Sequence, residues 1–228
     1  MSGDLNKIIS VSARPRQVIF DLDRTLVMST QLRPSWLEAC SEAGIDPIRA
    51  GETIDSNHGM SLWGLLELLG IDDADTDPII QRFWKLVEEE DHAVTPTPGA
   101  LDTVRRLGGA GIDLYLMTGS RPETAMNALE SLELLEYFVL VLGSRKECQK
   151  GPDHYRMVIE ASGLAPEQFA QTTATIGDGA ADMRFGKDHD LRWRIGYNPA
   201  EDPEYSQLLR EAGATSVISH LNQILVWT

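Results

Sequence analysis

The sequence predicts an α/β chain built on a doubly wound parallel sheet, with a small all-helical insertion near its start. Three observations point there. The run Gln17-Val18-Ile19-Phe20 is apolar and β-prone and stops at Asp21, as a buried strand running into a polar edge does. From about Met28 to Thr95 only helical spacings recur. Beyond Thr95, strand and helix patterns alternate to the end of the chain, the signature of parallel strands joined by crossover helices.

In the helical stretch the recurring apolar positions are Trp36, Leu37 and Cys40, then Leu62, Leu65, Leu66, Leu68 and Leu69, then Phe83, Trp84 and Val87. They predict three or four helices, the short ones separated by Gly44, Gly51, Gly59 and Gly70. Thr95-Pro96-Thr97-Pro98-Gly99 is a cluster of breakers and reads as a hinge. A helix through Leu101, Val104 and Leu107 ends at Gly108-Gly109, and Ile112 to Met117 reads as a strand that stops at Thr118-Gly119-Ser120. Pro122 suits the first turn of a helix running to about Leu132. Phe138 to Leu142 is a strand, Tyr155 to Ser162 a helix stopped by Gly163, and Thr173 to Ile176 a strand ending at Gly177-Asp178. Arg194 to Tyr197 and Thr215 to Ile218 add short edge strands. The domain division expected is 28–95 for the helical insertion, with 1–27 and 96–228 forming the sheet domain.

A chain of 228 residues can bury a full core. Its 20 Lys and Arg against 35 Asp and Glu give a net charge of -15, which excludes a broad basic footprint for nucleic acid. An anionic substrate then needs a metal or a local lysine to offset repulsion. Cys40 and Cys148 form no disulfide framework and no metal-ligand spacing. Met1 to Arg16 lacks an apolar core of signal-peptide length, and no apolar run approaches a membrane span, so a cytoplasmic protein with no membrane partner is expected.

In sheets of this kind, sites form at the carboxyl ends of strands. Asp21 and Asp23 alternate at such an end, and two close carboxylates suit divided labour, one ionised and one carrying a proton; acids also cap turns at strand ends. Thr25 is placed to brace that turn. Thr118 and Gly119 offer a hydroxyl and an unshielded N–H as an anion cradle, or an ordinary helix cap. Lys150 would be a point charge for phosphate or nucleophile, with Lys146 as rival. Asp178 and Asp182, four apart, would share a helix face if Gly179 opens the helix. Paired acids with only oxygen ligands favour Mg2+.

In this order, Asp21-Leu22-Asp23-Arg24-Thr25, Thr118-Gly119, Lys150 and Gly177-Asp178 with Asp182 resemble the four motifs of the haloacid dehalogenase-like superfamily of phosphatases. Pro96-Thr97-Pro98-Gly99-Ala100-Leu101, followed by Gly111-Ile112, is similar to the family's approach to its second motif, and the likeness extends from about Val18 to the C terminus. The resemblance implies a Rossmann-like core with a helical cap inserted after the first motif. It implies Asp21 as nucleophile and Asp23 as general acid and base. Thr118 and the Gly119 N–H would hold the transferring oxygens, and Lys150 would steady Asp21 and the phosphoryl group. Mg2+ would sit on Asp21, the Asp23 carbonyl and Asp178, with Asp182 as ligand or neighbour. The expected activity is hydrolysis of a small phosphorylated metabolite through an aspartyl-phosphate. A phosphomutase, or a catalytically idle binding member, are the alternatives. Two positions depart from the family pattern: Arg24 stands where Gly is common, and Lys150 is followed by Gly151 before Pro152.

Overall fold

The computed structural model describes residues 14–89 and 94–228. The first 13 residues, on which part of the leader argument rests, and residues 90–93 of the insertion lie outside the described residues. Among the described residues six strands, all parallel, form one sheet: β1 (Gln17–Phe20), β2 (Asp113–Met117), β3 (Phe138–Leu142), β4 (Thr173–Gly177), β5 (Trp193–Tyr197) and β6 (Ser216–Ile218), in the order β3-β2-β1-β4-β5-β6. Both faces are covered, which is why β1 is apolar at consecutive positions. Val18 and Phe20 join Leu114 and Leu116 in a cluster on one face. There they pack with Val104 and Leu107 of helix α5 (Ala100–Gly109), with Leu129 of α6 (Pro122–Ser131) and with Trp227 of the C-terminal 3-10 segment. Ile19, Tyr115 and Met117 point the other way, onto Val158 of α7 (Pro152–Ser162) and Phe169 of α8 (Pro166–Thr172). Each such fully buried large side chain contributes roughly 1.5–3 kcal/mol relative to exposure.

Between β1 and α5 the described residues form four helices: α1 (Leu32–Glu42), α2 (Pro47–Ser56), α3 (Leu62–Leu68) and α4 (Asp73–Glu89). Their apolar positions close on one another, with Trp36, Leu66, Phe83 and Trp84 buried in a cluster separate from the two on the sheet. Asp46 starts α2 by accepting the N–H groups of Ile48 and Arg49 at 2.8 and 3.0 Å, and Ser61 starts α3 by accepting that of Gly64 at 3.1 Å. Gly44, Gly59 and Gly70 separate the helices with φ of +76, +86 and +71°. Gly51 does not: it lies inside α2, buried close to the Arg33 guanidinium, a packing position rather than a break.

Two helices escape the sequence periodicity, α8 and α10 (Pro203–Glu211), although each carries proline in its first turn and Asp202 caps α10. Helix α7 begins at Pro152, three residues before the expected Tyr155. Strand β5 is interior rather than an edge, because β6 pairs outside it. Helix α9 (Ala180–Asp188) follows β4 directly.

The register fixes where the site falls. Phe20 lies beside Leu116 of β2 and Ile176 of β4, so the residues that follow these strands emerge together at one edge. Just beyond β3, Gly143 runs so close to the Arg121–Pro122 backbone that a Cβ there would collide with main-chain atoms. Gly143→Ala is therefore expected to lower stability by about 1–3 kcal/mol, by forced displacement of the α6 start. A shift in the urea midpoint at constant slope would measure it.

Candidate active site

The turn after β1 is stapled to its neighbours. The Asp21 N–H donates to the Ile176 carbonyl at 2.9 Å. Thr25 Oγ1 donates to Asp21 Oδ2 at 3.4 Å and accepts the Asp178 N–H at 3.0 Å, so one hydroxyl braces both strand ends. Thr97, from the breaker cluster, donates to the Thr25 carbonyl at 2.5 Å. Arg24 adopts φ +61°, in the left-handed region, which accounts for glycine being common at this position in the family the sequence resembles.

Asp21, Asp178 and Asp182 are 4, 4 and 3 % exposed, and one carboxylate oxygen from each lies within 4.8 Å of the others. Lys150 enters the group from the loop before α7. Its Nζ is 2.5 Å from Asp21 Oδ1 and 2.6 Å from Asp182 Oδ1. Lys146, the rival, reaches outward to Asp73 and Asp77 of α4 instead. Ser144 holds the Lys150 loop in place, accepting the Lys150 N–H at 2.9 Å and donating to the Thr118 carbonyl at 2.9 Å. Asp182 does double duty: its Oδ2 accepts the Gly179 N–H at 3.2 Å and so caps α9. Asp178 precedes that helix, so the two acids converge from a loop and a first turn rather than from one helix face.

The charges in this group are strongly coupled. Burial raises the Asp21 carboxyl well above the ordinary carboxylate range, Lys150 opposes that, and Asp182 and Asp178 add to it. Burial likewise pushes Asp178 up to about 7, against the pull of Arg24. Burial alone would depress Lys150, yet the attraction of Asp182 and Asp21 outweighs it and raises the ammonium above its usual value. The Arg24 Nε is 3.1 Å from Asp178 Oδ2, an ion pair without hydrogen-bond geometry, and that buried oxygen has no hydrogen-bond donor. Three buried carboxylates, an orphaned oxygen and oxygen-only donors fit a hard divalent cation.

Asp23 faces another way. Its Oδ2 accepts the hydroxyls of Ser120 at 2.6 Å and Thr118 at 3.2 Å, and its Oδ1 accepts that of Ser29 at 2.6 Å. Its carboxyl is thus outside the cluster of three. The Thr118 hydroxyl is engaged with Asp23 and with the Ser120 N–H at 3.0 Å. Gly119 follows β2 and lies under the loop that joins α2 to α3, where a Cβ would stand 2.8 Å from the Met60 carbonyl oxygen.

That loop, His58 to Ser61, also meets Gly179, whose Cβ would strike the His58 carbonyl. The His58 ring is 3.1 Å from Arg24 Nη1 and from the Tyr205 hydroxyl, and that hydroxyl donates to the Asp178 carbonyl at 2.8 Å. Burial and the Arg24 charge push His58 down to about 4, so it is neutral at pH 7. Ser29, Ser120, Ser144 and Tyr205 were not singled out as site residues from the sequence. Only Ser120, adjoining Thr118-Gly119 at a strand end, carried a signal that could have marked it.

Residues 18–193 match the family model described as haloacid dehalogenase-like hydrolase. Among curated proteins, the chain is similar to phosphoglycolate phosphatase 1 of Pseudomonas aeruginosa, 28% identical over 225 residues, covering 92% of this chain and 79% of that one. It is similar also to the phosphoglycolate phosphatase of Pseudomonas putida, 25% identical over 186 residues, where it spans 76% of this chain but only 66% of the relative. Among solved structures, a hydrolase from Pseudomonas syringae superposes with a TM-score of 0.76 at 23% identity, covering 92% of this chain and 96% of that one. A candidate beta-phosphoglucomutase from Bacteroides vulgatus gives 0.73 at 16% identity, covering 95% and 87%. At those identities the structural likeness establishes the fold, while the family-model match, running from β1 through the α9 cluster, establishes kinship. The chain belongs to the haloacid dehalogenase-like hydrolases and is an enzyme of that family.

Proposed function

We propose that the chain is a Mg2+-dependent phosphomonoester hydrolase that works through a phosphoryl-aspartate at Asp21. The observation that carries this reading is the Asp21 carboxyl itself. It is buried beside Lys150 at 2.5 Å, in a group of three carboxylates, on the floor of an open cavity. Nucleophile and phosphate are both anions, so their meeting requires compensating positive charge. Lys150 provides one part, and a divalent cation held by Asp21, Asp178 and Asp182 would neutralise the rest and restore ionised carboxylates.

In the first displacement an Asp21 oxygen bonds to phosphorus and the bond from phosphorus to the leaving alcohol breaks. Asp23, on the other side of the turn, gives its proton to the departing alkoxide. In the second, Asp23 takes a proton from water as the water oxygen bonds to phosphorus. The Asp21–phosphorus linkage then breaks, releasing inorganic phosphate and returning both aspartates to their starting state. The hydroxyls of Ser29, Thr118 and Ser120 can donate to or accept from Asp23, and so hold it in either protonation state. The Gly119 N–H, joined by the Thr118 hydroxyl once it turns from Asp23, would donate to developing charge on the phosphoryl oxygens. Helices of 28–95 act as a cap over a core made of 1–27 and 96–228, excluding water from the first displacement. The named activity of the curated relatives makes phosphoglycolate the first substrate to test. A phosphomutase reading draws on the Bacteroides vulgatus likeness and differs only in returning the phosphoryl group to a product hydroxyl.

Asp21→Asn is expected to lower kcat by about 10⁴-fold or more while leaving the circular dichroism spectrum unchanged. Acid quench during turnover of a labelled phosphomonoester should trap label on the native protein and none on the variant. Turnover by Asp21→Asn at the native rate would refute the nucleophile.

The raised Asp178 value gives a second expectation. A carboxyl whose folded value of about 7 exceeds the ordinary 3.8 stabilises the fold fully below pH 3.8, and that contribution is lost as pH rises through about 7. His58 and His154, both pushed down to about 4, act oppositely below pH 6.5, so the informative quantity is a difference. In metal-free buffer, Asp178→Asn should gain thermal stability relative to the native protein as pH is raised from 6.5 to 8. Mg2+ should raise the native Tm and leave that of the variant unmoved. Equal Mg2+ stabilisation of both proteins would remove Asp178 from the metal site.

A further inference from the structure

The cavity between the carboxylates and helices α1–α4 has a volume of about 760 Å³, a size that encloses a drug-sized molecule. Its floor is polar, with Asp21, Asp23, Thr118 and Asp178. The wall away from that floor is largely carbon, from Met28, Leu32, Ile54, Leu65, Phe83 and Trp84, with Thr30 and Asn57 among its polar members. Met28 is 52 % exposed, and Leu32 and Ile54 are half-buried, so apolar surface faces the open cleft before any ligand enters.

The Arg33 charge on the wall is already matched. Arg33 is held bidentately by Asp55, Nε to Oδ1 at 2.7 Å and Nη2 to Oδ2 at 2.8 Å. Arg24 lies on Asp178. Among the described lining residues these two are the only Lys or Arg, and His58 is neutral at pH 7. Against the apolar wall a carboxylate on the leaving group would lose its hydration, and the Arg33 charge there is already taken by Asp55. A short leaving group would also leave the Met28, Leu32 and Ile54 side chains wet. An uncharged apolar body would instead displace that water.

We propose that the alcohol released by this enzyme is uncharged and carries an apolar body about the size of a ring on a short stem, rather than a small carboxylate such as glycolate. The inference rests on the phosphatase reading of the same site and specifies what the cap side of that site selects. It departs from the substrate in the names of the curated relatives, whose identity to this chain is below one third.

The test compares kcat/KM at saturating Mg2+ for ethyl phosphate, 2-phenylethyl phosphate and 2-phosphoglycolate. Alkyl esters are used so that an intrinsically better aryl leaving group does not mimic recognition. The expected result is that 2-phenylethyl phosphate exceeds each of the others by roughly 10-fold or more, the gain over ethyl phosphate lying mainly in KM. Ile54→Lys should reduce that preference and raise kcat/KM for 2-phosphoglycolate. Met28→Lys, at a half-exposed position that folding tolerates, should move both values the same way. If 2-phosphoglycolate is hydrolysed as well as or better than the phenylethyl ester, the substrate class is overturned and the phosphatase reading stands. If none of the three esters releases phosphate, both fall together.

Discussion

A buried ammonium between two buried carboxylates is the interaction on which the site depends. Lys150 is within 2.6 Å of both Asp21 and Asp182, and all three side chains are almost wholly removed from water. Taking such groups out of solvent costs several kcal/mol per ion, and mutual attraction repays that only when geometry is tight. The burial-driven rise at Asp21 and Asp178 records the part left unpaid, since the group holds more negative charge than Lys150 and Arg24 balance. An arrangement tuned for stability alone would have been simpler in hydrocarbon. Excess buried charge on the floor of a cavity is what a site for a cation and an anionic group requires.

Keeping those groups together falls to the sheet and a few hydroxyls. The parallel register brings the ends of β1, β2 and β4 to one edge, and short polar links lock the loops that follow. Thr25 ties the Asp21 turn to Asp178, and Ser144 ties the Lys150 loop to Thr118. Each link satisfies a backbone group that would otherwise be buried without a partner, so fold and site are stabilised by the same bonds. Arg24 shows the converse. It occupies a backbone conformation suited to glycine, and its guanidinium lies against the otherwise unpartnered Asp178 oxygen.

The sheet was legible because buried parallel strands are short apolar runs that stop abruptly, as Val18 to Phe20 stops at Asp21 and Ala174 to Gly177 at Asp178. The meeting of Asp21 and Asp178 was legible for the same reason, because strand ends restrict where such residues can meet, whereas the choice of Lys150 over Lys146 came from the family resemblance. Ser29, Ser144 and Tyr205 were not legible as site residues, because a loop serine has no period and Tyr205 sits on α10, whose apolar pattern is too sparse to read. Gly51 misled, since a glycine inside a helix pattern reads as a break when its reason is contact with Arg33. The direction of the Asp23 side chain, away from the carboxylate cluster and onto three hydroxyls, depends on torsions that spacing does not encode.

The loop from His58 to Ser61 meets Gly119 and Gly179 backbone to backbone, without an intervening side chain at either place. The two glycines therefore act as a mechanical stop, set as low as the polypeptide allows. How far the helical layer can settle is decided by main-chain thickness rather than by adaptable rotamers. Even a methyl group at either position would act as a wedge, leaving the floor intact while its roof stood ajar to solvent.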